Sequence, residues 1–327
     1  MNLEQYKPES KKDARFVIAM FLVLITLLFV PTGFEKYLRK NSLREKGKVI
    51  EVDNSLVRRH NIIITGSQKL KVEVLSGEFK GEVVKTVNYF TGKKEFDKMF
   101  AVDDTILVTL DLKDGKIIHG TAIDRYRINL ILVLFVIFFI MLVGFAGWTG
   151  FKAVLSFAIT ILVIWKLLLP AYLRGWSPIP ISIIFVILIT SAIIFLIGGI
   201  NRKGVVAFLG SISGMLITCV LSLLFGTLFK IHGAVKPFSE ALLYTGFPFL
   251  KLHDIFLSGI FVASSGAVMD IAMDISTAMH EIVQKKPDIQ MKELVKSGLE
   301  IGKAVIGTMA TTLLLAYSAG FSTMFMV

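Results

Sequence analysis

The sequence predicts a polytopic α-helical membrane protein of about seven spans with a small all-β extracytoplasmic domain of the OB or SH3 barrel type. Three observations predict it. Hydrophobic residues make up 54% of the 327 residues, and the mean hydropathy of +0.71 lies outside the range of ordinary soluble domains. Apolar runs recur at 16–34, 128–147, 151–173, 179–200, 204–231, 255–283 and 301–327. Each is long enough to cross a hydrocarbon core of about 30 Å. Between the first run and the second, residues 47–123 change character and alternate apolar with polar side chains.

The first run follows Lys7, Lys11, Lys12 and Arg15, as a secretory signal would. No small-x-small cleavage site comes after it; Pro31, Thr32, Gly33 and bulky Phe34 stand there instead. Residues 16–34 therefore read as an uncleaved anchor. Its positive flank puts residues 1–15 in the cytoplasm, residues 35–127 outside, and 128–327 in a helix bundle of the cell membrane. The inner loops then carry Lys152, Arg202, Lys203, Lys285, Lys286, Lys292 and Lys296. Of the outer loops, 173–178 holds only Arg174, and 230–254 holds Lys230, Lys236 and Lys251. Cationic loops against an anionic leaflet account for much of the net charge of +11, and no nucleic-acid partner is called for. The last run reaches Val327 without a charged tail, the end of a short protein or of one with a further helix.

The β-domain is drawn from GKVIEVD, NIIITGSQKLKVEVL, FKGEVVKTVNYF, DTILVTLDL and GKIIHGTAI. These are five or six antiparallel strands, with a hairpin turn at Asp114-Gly115. Phe79, Tyr89, Phe90, Phe96 and Phe100 are assigned to core or interface and not to a base-stacking platform. Lys93, Lys94 and Lys98 form a solvated loop face, and Arg125 and Arg127 are interfacial anchors. The single cysteine, Cys219, falls in a span as a small packing residue, so the outer domain folds without disulfides.

The candidate site lies in SSGAVMDIAMDISTAMHE at 264–281. Asp270 falls near the middle of its span, Asp274 one turn later and Glu281 eleven residues on. Their angular offsets of about 40° and 20° put all three on one stripe. A carboxylate at mid-membrane costs about 2.5–3.5 kcal/mol, against about 0.3–0.6 kcal/mol returned by each Leu, Ile, Val or Phe. Such a helix needs partners in a bundle. The functional reading is a cavity that binds a cation or carries protons, with Ser264, Ser265 and Gly266 loosening the helix beside it. The structural alternative has the carboxylates hydrogen-bonding neighbouring helices while the small residues allow close packing.

Other residues carry weaker signals. Glu300 and Lys303 sit three apart in the last span, as a mutual pair or as interfacial anchors, and Thr308, Thr311 and Thr312 could add hydroxyls to a polar path. Segment 236–252 is too broken for a straight span and suits a re-entrant piece, where Glu240 could meet an entering cation. Residues 284–297 read as a short amphipathic helix beginning after Pro287. Gly210-x-x-x-Gly214 and Gly298-x-x-x-Gly302 have the spacing for close helix approach, within the chain or between subunits. His280 projects away from the acidic stripe, and His232, His253 and Asp254 match no metal-ligand spacing. No Walker loop, HExxH, calcium loop or G-x-S-x-G occurs, so neither an enzyme nor a cofactor is expected.

Three blocks, LSGEFKGEVV at 75–84, GFPFLKLHD at 246–254 leading into the acidic segment, and GTMATTLLLAYSAG at 307–320, resemble the YibE/F family of multispanning bacterial membrane proteins. The order of anchor, outer β-domain and bundle resembles it over nearly the whole chain. The resemblance implies architecture more than a reaction. It places an Asp and a downstream Glu at Asp270 and Glu281, leaves Asp274 outside the general pattern, and implies another helix after the last block. The expected function is a transporter or permease with an acidic ion or proton path. The alternative is a scaffold, alone or paired with itself or another family member, whose β-domain binds an envelope or secreted partner.

Overall fold

The computed structural model describes residues 11–32, 42–94, 96–235, 239–244, 247–320 and 322, with the side chains of residues 240 and 241 outside that description. The chain divides into two compact units, residues 33–139 and residues 1–32 with 140–327.

The smaller unit is a closed barrel. Its strands are β1 (Ser42–Asp53), β2 (Val57–His60), β3 (Ile63–Val74), β4 (Val83–Thr91), β5 (Thr105–Lys113) and β6 (Lys116–Arg125). Neighbours run β1-β5-β6-β4-β3 and return to β1, while the short β2 pairs only with β3. Every pair is antiparallel except β4 with β6. Period-two alternation turns Leu70, Val72 and Val74 of β3 and Ile106, Val108 and Leu110 of β5 into one core. Closure needs β1 to serve two neighbours, and Gly47 pairs with both Val74 and Ile106. A Cβ there would stand 2.3 Å from Val72 Cγ1, so the bend has room for glycine alone. The expected hairpin is present, with positive φ at Asp114 (51°) and Gly115 (74°).

One core position departs from the apolar pattern. Gln68 is fully buried. It donates to Asn54 Oδ1 (2.8 Å) and to the Phe100 carbonyl (2.9 Å), and accepts from Phe100 N (3.1 Å) and Asn88 Nδ2 (3.2 Å). A buried amide with all its groups engaged ties the 96–104 loop across the barrel end.

In the larger unit, α1 (Lys11–Phe29) precedes the barrel in sequence, and α2 (Ile128–Val163) follows it. A π-turn, Ile164–Leu168, leads into α3 (Leu169–Leu173). Then come α4 (Pro178–Gly198), α5 (Arg202–Leu228), α6 (Ser239–Tyr244), α7 (Leu252–Lys285) and α8 (Met291–Gly320). Among the described residues, five helices are long and apolar enough to cross a membrane: Ile128–Leu173, α4, α5, α7 and α8. The first of these is not straight. Gly147 has φ 56° and ψ −128°, and a Cβ on Gly150 would stand 2.4 Å from the Leu142 carbonyl oxygen. Residues eight apart in a straight helix are separated by about 12 Å. The chain therefore bends sharply back at Gly147.

Helix α7 packs against α4, α5 and α8, and small residues set the approach. A Cβ on Gly214 would lie 2.7 Å from Val268, on Gly226 2.5 Å from Leu257, and on Gly298 2.8 Å from Met279 Sδ. Gly210 and Gly302 face Ala272 and Ile275. Both glycine pairs singled out by spacing thus serve contacts within the chain.

Three expectations need correction. Lys152, read as a cytoplasmic loop cation, is 1% exposed and pairs with Asp13 of α1 (Nζ–Oδ1 3.4 Å), which also accepts from Trp148 Nε1 (2.7 Å). The fold-back at Gly147 carries it inside. At the other end of α1, Lys166 Nζ donates to the Val30 carbonyl (2.8 Å), so the 148–173 stretch grips both ends of the anchor helix. Residues 284–297 are not a separate helix: Pro287 lies in the turn after α7, and Met291 already begins α8. Finally, α7 runs unbroken through Ser264, Ser265 and Gly266.

Lys152→Met, which strands the buried Asp13 charge, is expected to destabilise the protein by about 3–5 kcal/mol. Asp13→Asn combined with Lys152→Met should recover most of that loss in thermal unfolding of the detergent-solubilised chain. By the same measurement Gly226→Ala should cost about 1–3 kcal/mol through overpacking on Leu257. Gly266→Ala, with nothing within 4 Å of the new methyl, should be neutral or stabilising by up to about 1 kcal/mol.

Candidate functional site

The carboxylates of α7 open onto a cavity of about 670 Å³. Helical spacing selects the α7 wall: Met269, Asp270, Met273, Asp274, Thr277, Ala278 and Glu281. Helix α4 supplies Ile193, Ile194 and Ile197, α8 supplies Ile301 and Val305, and Lys203 enters from the first turn of α5. All three acids of the predicted stripe are brought together. Asp270, Asp274 and Glu281 are each exposed towards this space. None makes a hydrogen bond or ion pair among the described residues.

The local fold explains the placement. The α4–α5 turn is tight, with Gly199 at φ 77° and Asn201 capping α5 by accepting from Gly204 N (2.9 Å). Ser276 of α7 donates to the Lys203 carbonyl (2.7 Å), which holds the start of α5 against the acidic helix. Asp270 and Asp274 stand one turn apart with like charge, a destabilising arrangement unless something neutral or cationic intervenes. The walls supplied by α4 and α8 are aliphatic and cannot solvate a charge, which leaves Lys203 and Thr277 as the polar groups lining the cavity beside the acids.

Other predicted residues do not join this cavity. Ser264 Oγ donates to the Ile260 carbonyl (2.7 Å) and Ser265 Oγ to the Val262 carbonyl (2.7 Å), so both hydroxyls are spent on their own helix. With Gly266 in a continuous α7, these residues do not unwind it. Glu300 and Lys303 pair with each other at 2.8 Å on an exposed face, although Ile301 between them lines the cavity. Thr308, Thr311 and Thr312 bond carbonyls of the preceding turn. Glu240 lies outside the described side chains. His280 contacts Gln284 (3.1 Å) and His253 contacts Asp254 (3.1 Å). Among the described residues no group of three His, Cys, Asp or Glu is placed to hold a metal ion.

Two features of the site were missed in the sequence. Lys203 looked like an ordinary loop cation, and only the packing of α5 on α7 turns it inward. Met269 and Met273 put thioethers beside the aspartates. Their signal was available as the repeated Met-Asp at 269–270 and 273–274.

Residues 134–327 match the family model described as YibE/F-like protein, and residues 42–126 match that of the YibE/F family N-terminal domain. No curated protein and no solved structure matches the chain. The barrel strands fall within the second match and the acidic cavity within the first. By these two matches, which together take in the barrel and the helices around α7, the chain belongs to the YibE/F family.

Proposed function

We propose that this protein is a secondary transporter or channel-like permease of the cell membrane, moving a cation or protons along the acidic face of α7. The observation that carries the reading is three carboxylates without a partner among the described residues, lining one 670 Å³ cavity from a helix of span length. An unpaired carboxylate inside a bundle is neutralised by a proton or a cation, and either of these is mobile cargo. Asp270 and Glu281 are separated by about 16 Å of helix rise, roughly half of a 30 Å hydrocarbon core. The stripe is therefore long enough to hand a charge over much of the barrier. Asp270 and Asp274 form the deeper site, and Glu281 with Lys203 forms the mouth.

The same reading gives seven crossings, counting the 19-residue α1 and dividing Ile128–Leu173 at Gly147. It keeps the N-terminus cytoplasmic and the barrel outside. The five-stranded closed barrel with a single parallel pair supports the OB type. A second reading, a scaffold, draws on the barrel's exposed apolar side chains Ile62 (71%), Ile118 (63%) and Tyr89 (58%), which suit a protein partner.

In proteoliposomes on a solid support, pH steps and a panel of cations should evoke a saturable current. Asp270→Asn should reduce it roughly tenfold or more, equivalent to about 1.4 kcal/mol or more on the transport barrier. Glu300→Gln, outside the cavity, should leave it unchanged. Full current in folded Asp270→Asn would sink the acidic path, and a scaffold would then be sought by replacing residues 42–126.

A further inference from the structure

A second cavity, of about 560 Å³, opens between the first turns of α1 and the turn joining α4 to α5. Lys12 and Arg15 line it, three residues apart on α1, with Phe16, Phe195, Ile200 and Asn201 completing the wall. The acid that lines it is Asp13, and its charge is balanced by buried Lys152 and the Trp148 indole N–H. Lys12 and Arg15 make no ion pair among the described residues. Among the described residues, the cavity therefore carries two positive charges with no acid paired to them. Of the apolar side chains beside them, Phe16 belongs to α1 and Phe195 to α4, and Ile200 lies in the turn between α4 and α5.

The turn is rigidly built. Asn201 donates to the Gly198 carbonyl (3.0 Å) while its side-chain oxygen caps α5.

We propose that this cavity binds a phosphate group, carried by an anionic phospholipid or free in solution. Lys12 and Arg15 supply the charge, and Arg15 can engage two phosphate oxygens at once. Phe16, Phe195 and Ile200 give the glycerol and the first acyl methylenes an apolar wall, as basic pockets between membrane helices do for anionic headgroups. The site is separate from the acidic cavity and does not depend on what that cavity carries.

The test uses the purified full-length chain, delipidated in detergent, titrated with phosphatidylglycerol, phosphatidylcholine and inorganic phosphate and read by native mass spectrometry. Wild type is expected to retain phosphatidylglycerol roughly ten- to thirtyfold more tightly than phosphatidylcholine, the worth of two interfacial cations. K12Q/R15Q should lose most of that preference, while K292Q/K296Q, with the same change in charge elsewhere, should keep it. Ile200→Trp, which fills the cavity without altering charge, should also weaken retention and serves if the double variant does not fold. Displacement of phosphatidylglycerol by millimolar inorganic phosphate assigns the site to free phosphate, and its persistence assigns it to lipid; both support a phosphate site. Equal retention of the two lipids with no phosphate bound overturns the proposal. So does a preference that survives K12Q/R15Q and Ile200→Trp, or one lost equally in K292Q/K296Q.

Discussion

Close approach of neighbouring helices to α7 is the constraint on which the helical unit depends. Gly214, Gly226 and Gly298 each leave no room for a methyl group beside α7. In lipid, helix association draws little on the hydrophobic effect and relies on tight van der Waals contact. Glycine at these positions lets one charged helix be held closely by two neighbours, α5 and α8. The energetic result is that α7 can carry acids that would make it a poor span alone.

The unit treats its charges in two opposite ways. Asp13 and Lys152 pair inside the unit and the Trp148 indole donates to Asp13, so the charges are matched and fasten α1. Asp270, Asp274 and Glu281 face open space without a partner among the described residues. A compensated buried pair is a structural element, because removing either member leaves an expensive charge behind. Uncompensated acids hold free capacity for a ligand. This contrast separates the site from the framework more sharply than depth in the bundle does.

The barrel solves a different problem. A sheet of five strands must leave no edge, and β1 closes it by pairing on both sides around Gly47. Gln68 then holds the 96–104 loop in place with four hydrogen bonds. Its hydrophobic neighbours alone would fill the core without fixing where that loop runs.

Periodicity and composition determined the elements and the site's residues. The long apolar runs became helices, alternation became strands, and the offsets among Asp270, Asp274 and Glu281 put them on one face before any fold was known. These are properties of a single element, set by 3.6 or 2 residues per repeat. Tertiary structure alone decided the rest. That Lys152 pairs with Asp13 far away in sequence and that Lys203 turns towards Glu281's cavity both depend on which helices meet. So does the fold-back at Gly147, where one glycine's φ of 56° redirects two apolar runs that composition could only count. Pairing across elements is a matter of three-dimensional packing, and no local repeat in one chain encodes it.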